Sequence, residues 1–251
     1  MRHTLLIIRC SLFIFSACSR PEPVPDIFLL IGQSNMAGRG IMTSSDTIPL
    51  RNVLLFNDSN RFEPARHPLN RYSTIRKDLS LQGIGLGYEF GRYLSDTTGR
   101  TIGLVVNARG GTGISEWQKG CLYYSEAVKR TKAAMKQGNL KAVIWHQGSA
   151  DQRHPESYTG QIRKMITDFR EDLEDPDLPF IVGQLGNWRE ISEPFNEMLT
   201  HVPDSILNTA WVCTEGLSHN QDDSLHFDSA SLNILGRRYA ERVIELVYRR
   251  K

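Results

Sequence analysis

The sequence predicts an α/β fold, a five-stranded parallel sheet between two layers of helices, from two observations. Five short runs rich in β-branched or aromatic residues are apolar throughout instead of alternating, as in strands buried on both faces. Longer segments with helical spacing lie between them, and such strand–helix alternation brings each strand back into one sheet in parallel. The chain has 251 residues, enough for one such domain with a well-buried core.

In chain order, the first strand is DIFLLI (26–31). Residues 41–83 break the alternation: a short strand at VLLF (53–56) sits in otherwise polar, proline-containing sequence, read as a long excursion over the face where the strands end. LGYEFGRYLSD (86–96) is a helix, TIGLVVN (101–107) a strand, SEAVKRTKAAMKQG (125–138) a helix and KAVIWH (141–146) a strand. PESYTGQIRKMITDFREDLED (155–175) and SEPFNEMLTHV (192–202) are helices around the strand PFIVGQL (179–185), and TAWVC (209–213) is the last strand. The closing helix, 230–250, gathers Leu232, Leu235, Tyr239, Val243, Leu246 and Val247 on one face.

Ahead of this domain, 26–251, residues 1–17 combine Arg2 and Arg9 with an apolar stretch and small residues, the pattern of a secretion signal too short to span a membrane. Residues 18–25 form a proline-rich tether. Phe15-Ser16-Ala17-Cys18 resembles a bacterial lipoprotein box, with Phe15 where leucine is usual; it makes Cys18 a lipidation candidate and the only route to a membrane. The expected location is therefore the periplasm or cell envelope. Cleavage before Cys18 takes Arg2 and Arg9 from the 30 basic residues and none from the 28 acidic ones, leaving the two balanced. That balance argues against the basic stripe a nucleic-acid partner needs. Cys121 and Cys213 remain; their spacing suggests no metal site, and they are read as thiols in preference to a disulfide.

Ligands in open α/β sheets collect beyond the carboxyl ends of the strands. After the first strand comes Gly32-Gln33-Ser34-Asn35-Met36, which sets Ser34 at the sheet edge near free helix N–H groups; taken alone, Ser34 also fits an ordinary N-cap. After the second comes Ala108-Arg109-Gly110-Gly111-Thr112-Gly113, where glycines admit close backbone approach without the lysine of a phosphate loop. The third runs into His146-Gln147-Gly148-Ser149-Ala150-Asp151: Gln147 offers an amide donor, and alternation turns His146 to the opposite face, into a structural role. Asp223-Ser224-Leu225-His226 precedes the last helix, and its three-residue step lets a carboxylate reach imidazole Nδ1, with Asp222 as the rival acid. A serine, a base with its orienting acid and separate donors together supply the roles of acyl transfer.

On these blocks, GQSNMAGRG, ARGGTGISEW, WHQGSAD, FIVGQLG and DSLHFDSASLNILGRRYAE in this order, the chain resembles the SGNH hydrolases, specifically the sialate O-acetylesterase and acetylxylan esterase group that includes carbohydrate esterase family six. The resemblance spans about residues 26–242. It implies a flavodoxin-like three-layer α/β/α sandwich and a serine esterase that removes acetyl groups from carbohydrates, with no metal or organic cofactor. It further implies Ser34 as nucleophile, His226 as base and then acid, and Asp223 as its orienting carboxylate. The implied oxyanion hole is the Ser34 and Gly111 N–H groups with the Gln147 side chain, one such donor being worth about 3 kcal/mol.

The group's third block commonly reads Gln-Gly-Glu-x-Asp, and this chain has Ser149 in place of the glutamate. That departure motivates one rival, a noncatalytic glycan-binding protein; an esterase or lipase for longer acyl chains is another. The expected partner in all but the last is an acetylated carbohydrate, from xylan or another plant glycan to sialic acid. Trp117 and Trp188 are candidates for stacking on sugar rings, packing roles being the alternative, and Arg109 and Arg153 for holding an acidic sugar.

Overall fold

The computed structural model describes residues 23–221 and 223–249; the export signal, Cys18 and Asp222 lie outside the described residues. Among the described residues no helix is long and apolar enough to cross a membrane.

β1 (Asp26–Gly32) lies at the centre of the sheet, between β4 (Ile102–Ala108) and β5 (Asn139–His146). β6 (Phe180–Gly183) and β7 (Thr209–Val212) extend one side, and β2 (Val53–Phe56) and β3 (Phe62–Pro64) the other, giving the order β3-β2-β4-β1-β5-β6-β7. All pairs are parallel except β2 with β3. The sheet therefore has seven strands where five were expected. The short VLLF strand joins it as β2, and β3 was not foreseen: Phe62-Glu63-Pro64 carries a charge and a proline, which only an edge strand tolerates.

Every residue of β1 and β4 is buried, as their unbroken apolar runs require. Phe28 and Leu30 of β1 pack with α2 (Gly87–Thr98) and α7 (Ser229–Val243), including Phe90, Leu94, Leu232 and Tyr239. Ile27, Leu29 and Ile31 face the opposite layer of α3 (Leu122–Met135), α4 (Pro155–Asp172), α5 (Glu193–Thr200) and the short α6 (Val202–Ser205). This is the expected three-layer sandwich.

Local chemistry sets the boundaries of the first layer's helices. Asp228 caps α7 by accepting from Ser231 N at 2.7 Å, and α2 stops at Gly99, whose φ of 68° is left-handed. On α7 the expected face buries Leu232, Leu235, Tyr239 and Val243 fully, while Leu246 and Val247 are only partly covered, in the π-helical turn Ile244–Tyr248 that ends the element. At the amino end of the sheet, buried Asp26 is tied to Arg100 at 3.0 Å and to Tyr248 Oη at 2.8 Å. At the carboxyl end, part of the 41–83 excursion closes over β4: Asn70 exchanges hydrogen bonds with the backbone of Ala108, and Thr74 N donates to Asn107 Oδ1.

Candidate active site

β1 ends on Gly32, with φ 137° and so little room that a Cβ there would lie 2.2 Å from the carbonyl oxygen of His146 on β5. No L side chain satisfies both constraints. The chain turns at once into α1 (Ser34–Ala37), with Gln33 N donating to His146 O at 3.0 Å. Gln33, not Ser34, occupies the N-cap position. Ser34 is 5 % exposed, and among the described residues its hydroxyl caps nothing, which removes the N-cap alternative.

The turn after β4 lies against this serine. A Cβ on Gly110 would sit 3.3 Å from Ser34 Cβ and 2.7 Å from Arg39 Nη2, so the glycine admits both neighbours. Gly111 has φ 74° and is exposed. Among the described residues, neither Ser34 N nor Gly111 N donates to another group, leaving two N–H groups for an incoming oxygen.

The end of β5 separates its two polar side chains as alternation predicts. His146 turns to the α7 layer, where Nδ1 meets Tyr239 Oη at 3.0 Å; Tyr239 gives its own proton to Trp145 O, so Nδ1 carries the imidazole proton. Complete burial pushes the His146 pKa down to about 4 and keeps it neutral, a structural residue.

Gln147 turns the other way, and here the geometry departs from the expected donor role. Its Nε2 gives its two protons to Thr112 O at 2.8 Å and Asp151 Oδ2 at 2.6 Å, while its Oε1 accepts from Tyr158 Oη at 2.9 Å. Asp151 also accepts from Ile114 N at 3.0 Å. Gln147 thus braces the Gly111–Ile114 turn against β5 and α4, and has no amide proton left for an oxyanion.

The fourth piece is the loop before α7. Asp223 Oδ2 accepts from His226 Nδ1 at 2.6 Å, and Asp223 Oδ1 accepts from the backbone N–H of Leu225 at 3.0 Å and of His226 at 2.9 Å. Desolvation pushes the Asp223 pKa up, but these hydrogen bonds outweigh it and hold the carboxyl below the ordinary carboxylate range. A carboxylate only accepts, so Nδ1 bears the proton and Nε2 keeps its lone pair. The next residue anchors the loop to the serine turn: Phe227 N donates to Asn35 Oδ1 at 3.2 Å. Ser34 and His226 are therefore each one residue from a direct bond between their segments.

The other candidates fare differently. Trp117 is completely buried, with Nε1 donating to Thr112 Oγ1 at 3.1 Å; it has no face for a sugar and serves as packing under the glycine turn. Trp188 is partly exposed, edge-on to Phe227 at 4.9 Å, and clamps the loop through Nε1 to Ser224 O at 2.7 Å. Arg109, half-buried, donates through Nη1 to Ile75 O at 2.8 Å and lies over the Tyr123 ring at 5.5 Å. Arg153 is exposed in the turn before α4. Cys121 and Cys213 are free thiols. Two residues of the GQSNMAGRG block escaped the sequence reading, Asn35 and Arg39; their place inside the most specific block was the available signal.

With this geometry in view, the sequence model of a family described as carbohydrate esterase, sialic acid-specific acetylesterase, matches residues 24–245. A probable carbohydrate esterase of Arabidopsis thaliana is 35% identical over 182 residues, 64% of this chain and 69% of the relative. A crystal structure of a protein from Arabidopsis thaliana superposes with TM-score 0.80 at 29% identity, covering 89% of this chain and 99% of the other. A carbohydrate acetylesterase from Xanthomonas citri shares the fold, with TM-score 0.65 at 19% identity over 89% of this chain and 57% of that one.

Proposed function

Because the chain belongs to the sialic acid-specific acetylesterase family of carbohydrate esterases, and is an esterase, we propose that it removes acetyl groups from carbohydrate hydroxyls with Ser34 as nucleophile. Ser34 Oγ attacks the ester carbonyl carbon while His226 Nε2 takes its proton. The oxyanion is received by the N–H groups of Ser34 and Gly111. Collapse breaks the bond to the sugar oxygen, which leaves with the proton from His226. Water, deprotonated by the same imidazole, then releases acetate from Ser34. Asp223 holds the Nδ1–H tautomer and stabilises the imidazolium. In this reading Gln147 acts through the turn it braces.

The observation that carries the reading is the Phe227 to Asn35 hydrogen bond, which fastens the paired Asp223 and His226 to the turn that delivers Ser34. The proposal extends to export through residues 1–17, with Cys18 as a lipid anchor on the envelope. Protein lacking residues 1–17 is expected to release acetate from acetylated sugars and 4-nitrophenyl acetate, and to prefer acetyl over butyryl and octanoyl esters. The Ser34→Ala variant is expected to be inactive; equal turnover by both proteins overturns the assignment.

A further inference from the structure

On the Ser34 and His226 reading given above, the block FIVGQLG (180–186) and the tryptophan two residues beyond it take no part in acyl transfer. They are nevertheless built around one contact with the loop that carries His226. Asn196 of α5, itself buried, accepts from Leu185 N at 2.7 Å and donates through Nδ2 to Leu185 O and Asn187 Oδ1, each at 2.9 Å. Gly186 leaves the space into which the indole folds back: a Cβ there would lie 2.2 Å from Trp188 Cη2 and 2.4 Å from Cζ2 and Cζ3. So placed, Trp188 Nε1 donates to Ser224 O at 2.7 Å.

At the accepting end of that bond the backbone is strained. Ser224 has φ 39°, in the left-handed region that a residue with a Cβ rarely enters. Such a conformation persists only where its surroundings over-determine it. Within the loop, Ser224 N donates to Asn220 O at 3.1 Å, Asp223 N to the same oxygen at 3.3 Å, and Asn220 N to His226 O at 2.7 Å. The Trp188 N–H reaches this turn from a different segment. Ser224 lies between the two residues whose side chains meet at 2.6 Å, Asp223 and His226, so its φ sets the angle at which carboxylate and imidazole approach. The same indole stands edge-on to Phe227, at 4.9 Å and 87°. It therefore touches the chain two residues before His226 and one residue after it.

We infer that Trp188 is a positioning residue of the esterase: its N–H holds Ser224 in the left-handed conformation that keeps Asp223 and His226 paired, and Asn196 with the Leu185–Asn187 segment aims it there. Trp188 acts through the backbone of the loop and not on the substrate, which separates this role from the sugar stacking left open by the sequence.

The test is Trp188→Phe, which keeps a ring beside Phe227 and removes the N–H, made in the parent and in Ser224→Gly, where glycine holds a left-handed φ unaided. The substrate is 4-nitrophenyl acetate, whose leaving group carries no sugar. In the parent background kcat is expected to fall about fivefold, the size of one net hydrogen bond, with KM changed by less than about twofold. In the Ser224→Gly background the same substitution is expected to cost less than about twofold, a non-additivity that a packing role does not produce. Gly186→Ala, whose methyl needs the space of the indole, is expected to lower kcat at least as far, and urea denaturation confirms that each variant is folded. An unchanged kcat in folded Trp188→Phe overturns the inference while the Ser34 reading stands. An equal fall in both backgrounds overturns it as well, since Ser224 then plays no part, and so does a rise in KM alone, which makes Trp188 a substrate contact. Turnover by Ser34→Ala equal to the parent's overturns the Ser34 reading and this inference with it.

Discussion

The pairing of Asp223 with His226 is open to a single-atom test, Asp223→Asn. The amide oxygen keeps the bonds from Leu225 N and His226 N, so the loop stays anchored and stability is expected to change by less than about 1 kcal/mol. The amide nitrogen then replaces the oxygen that stood 2.6 Å from His226 Nδ1. Donor facing donor is untenable, so the imidazole proton moves to Nε2, and the lone pair that would take the Ser34 proton is gone. In a well-buried serine triad this inversion costs about 10⁴ in kcat. Here the Asp223 side chain is 41 % exposed, and water competes for Nδ1. The expected loss is therefore about 10² to 10³, or roughly 3–4 kcal/mol of transition-state stabilisation. The assay is kcat on 4-nitrophenyl acetate, with urea denaturation to confirm folding. A folded variant within fivefold of the parent refutes the role given to Asp223.

Two further outcomes follow from burial and backbone geometry. Burial pushes the His67 pKa down to about 4, so between pH 6.5 and 4 the unfolded chain binds a proton that the folded chain refuses. Stability should fall as pH drops through that window, by about 2 kcal/mol from this residue at pH 5; His146, also at about 4, adds a similar loss. Urea midpoints at pH 7 and 5 measure it, and His67→Phe should remove about half the difference; a pH-independent midpoint refutes the account. Gly32→Ala should lose more than about 3 kcal/mol or fail to fold, because its φ and the contact with His146 O both exclude a side chain. Gly160→Ala, in open space on α4, should gain up to about 1 kcal/mol, and thermal melts of the two variants compare them.

The legible parts of the fold were those whose environment writes itself into composition. β1 and β4, and β5 from Ala142 on, are buried on both faces, so their runs are apolar and unmistakable; β3 is half-covered and holds Glu63 and Pro64, which in isolation read as loop. At the site, the place of Ser34 at the end of β1 and the pairing of Asp223 with His226 were legible because a three-residue step brings a carboxylate to imidazole Nδ1 and an apolar run marks where its strand stops. Trp117 was left open between stacking and packing because its following a glycine turn says nothing of which way the indole swings; the turn Ile114–Trp117 sends it into the core. Gln147 was correctly placed at the strand end, but its bonds depend on Tyr158, Thr112 and Asp151 arriving from three segments. Arg39 stayed hidden for the same reason, since Gly110 across the sheet edge gives it its place beside Ser34.

The hydrogen bond from Phe227 to Asn35 has a consequence for endurance as well as for catalysis. The loop that carries His226 is exposed at residues 223–225 and meets the serine turn through that bond and Trp188 through another, whereas β1 and β4 are buried at every residue. Local opening of such a segment takes far less free energy than melting the domain. Activity is therefore expected to be lost on heating at a temperature below that at which the fold melts, and to return on cooling after a brief heat pulse; residual-activity assays set beside thermal melts check it.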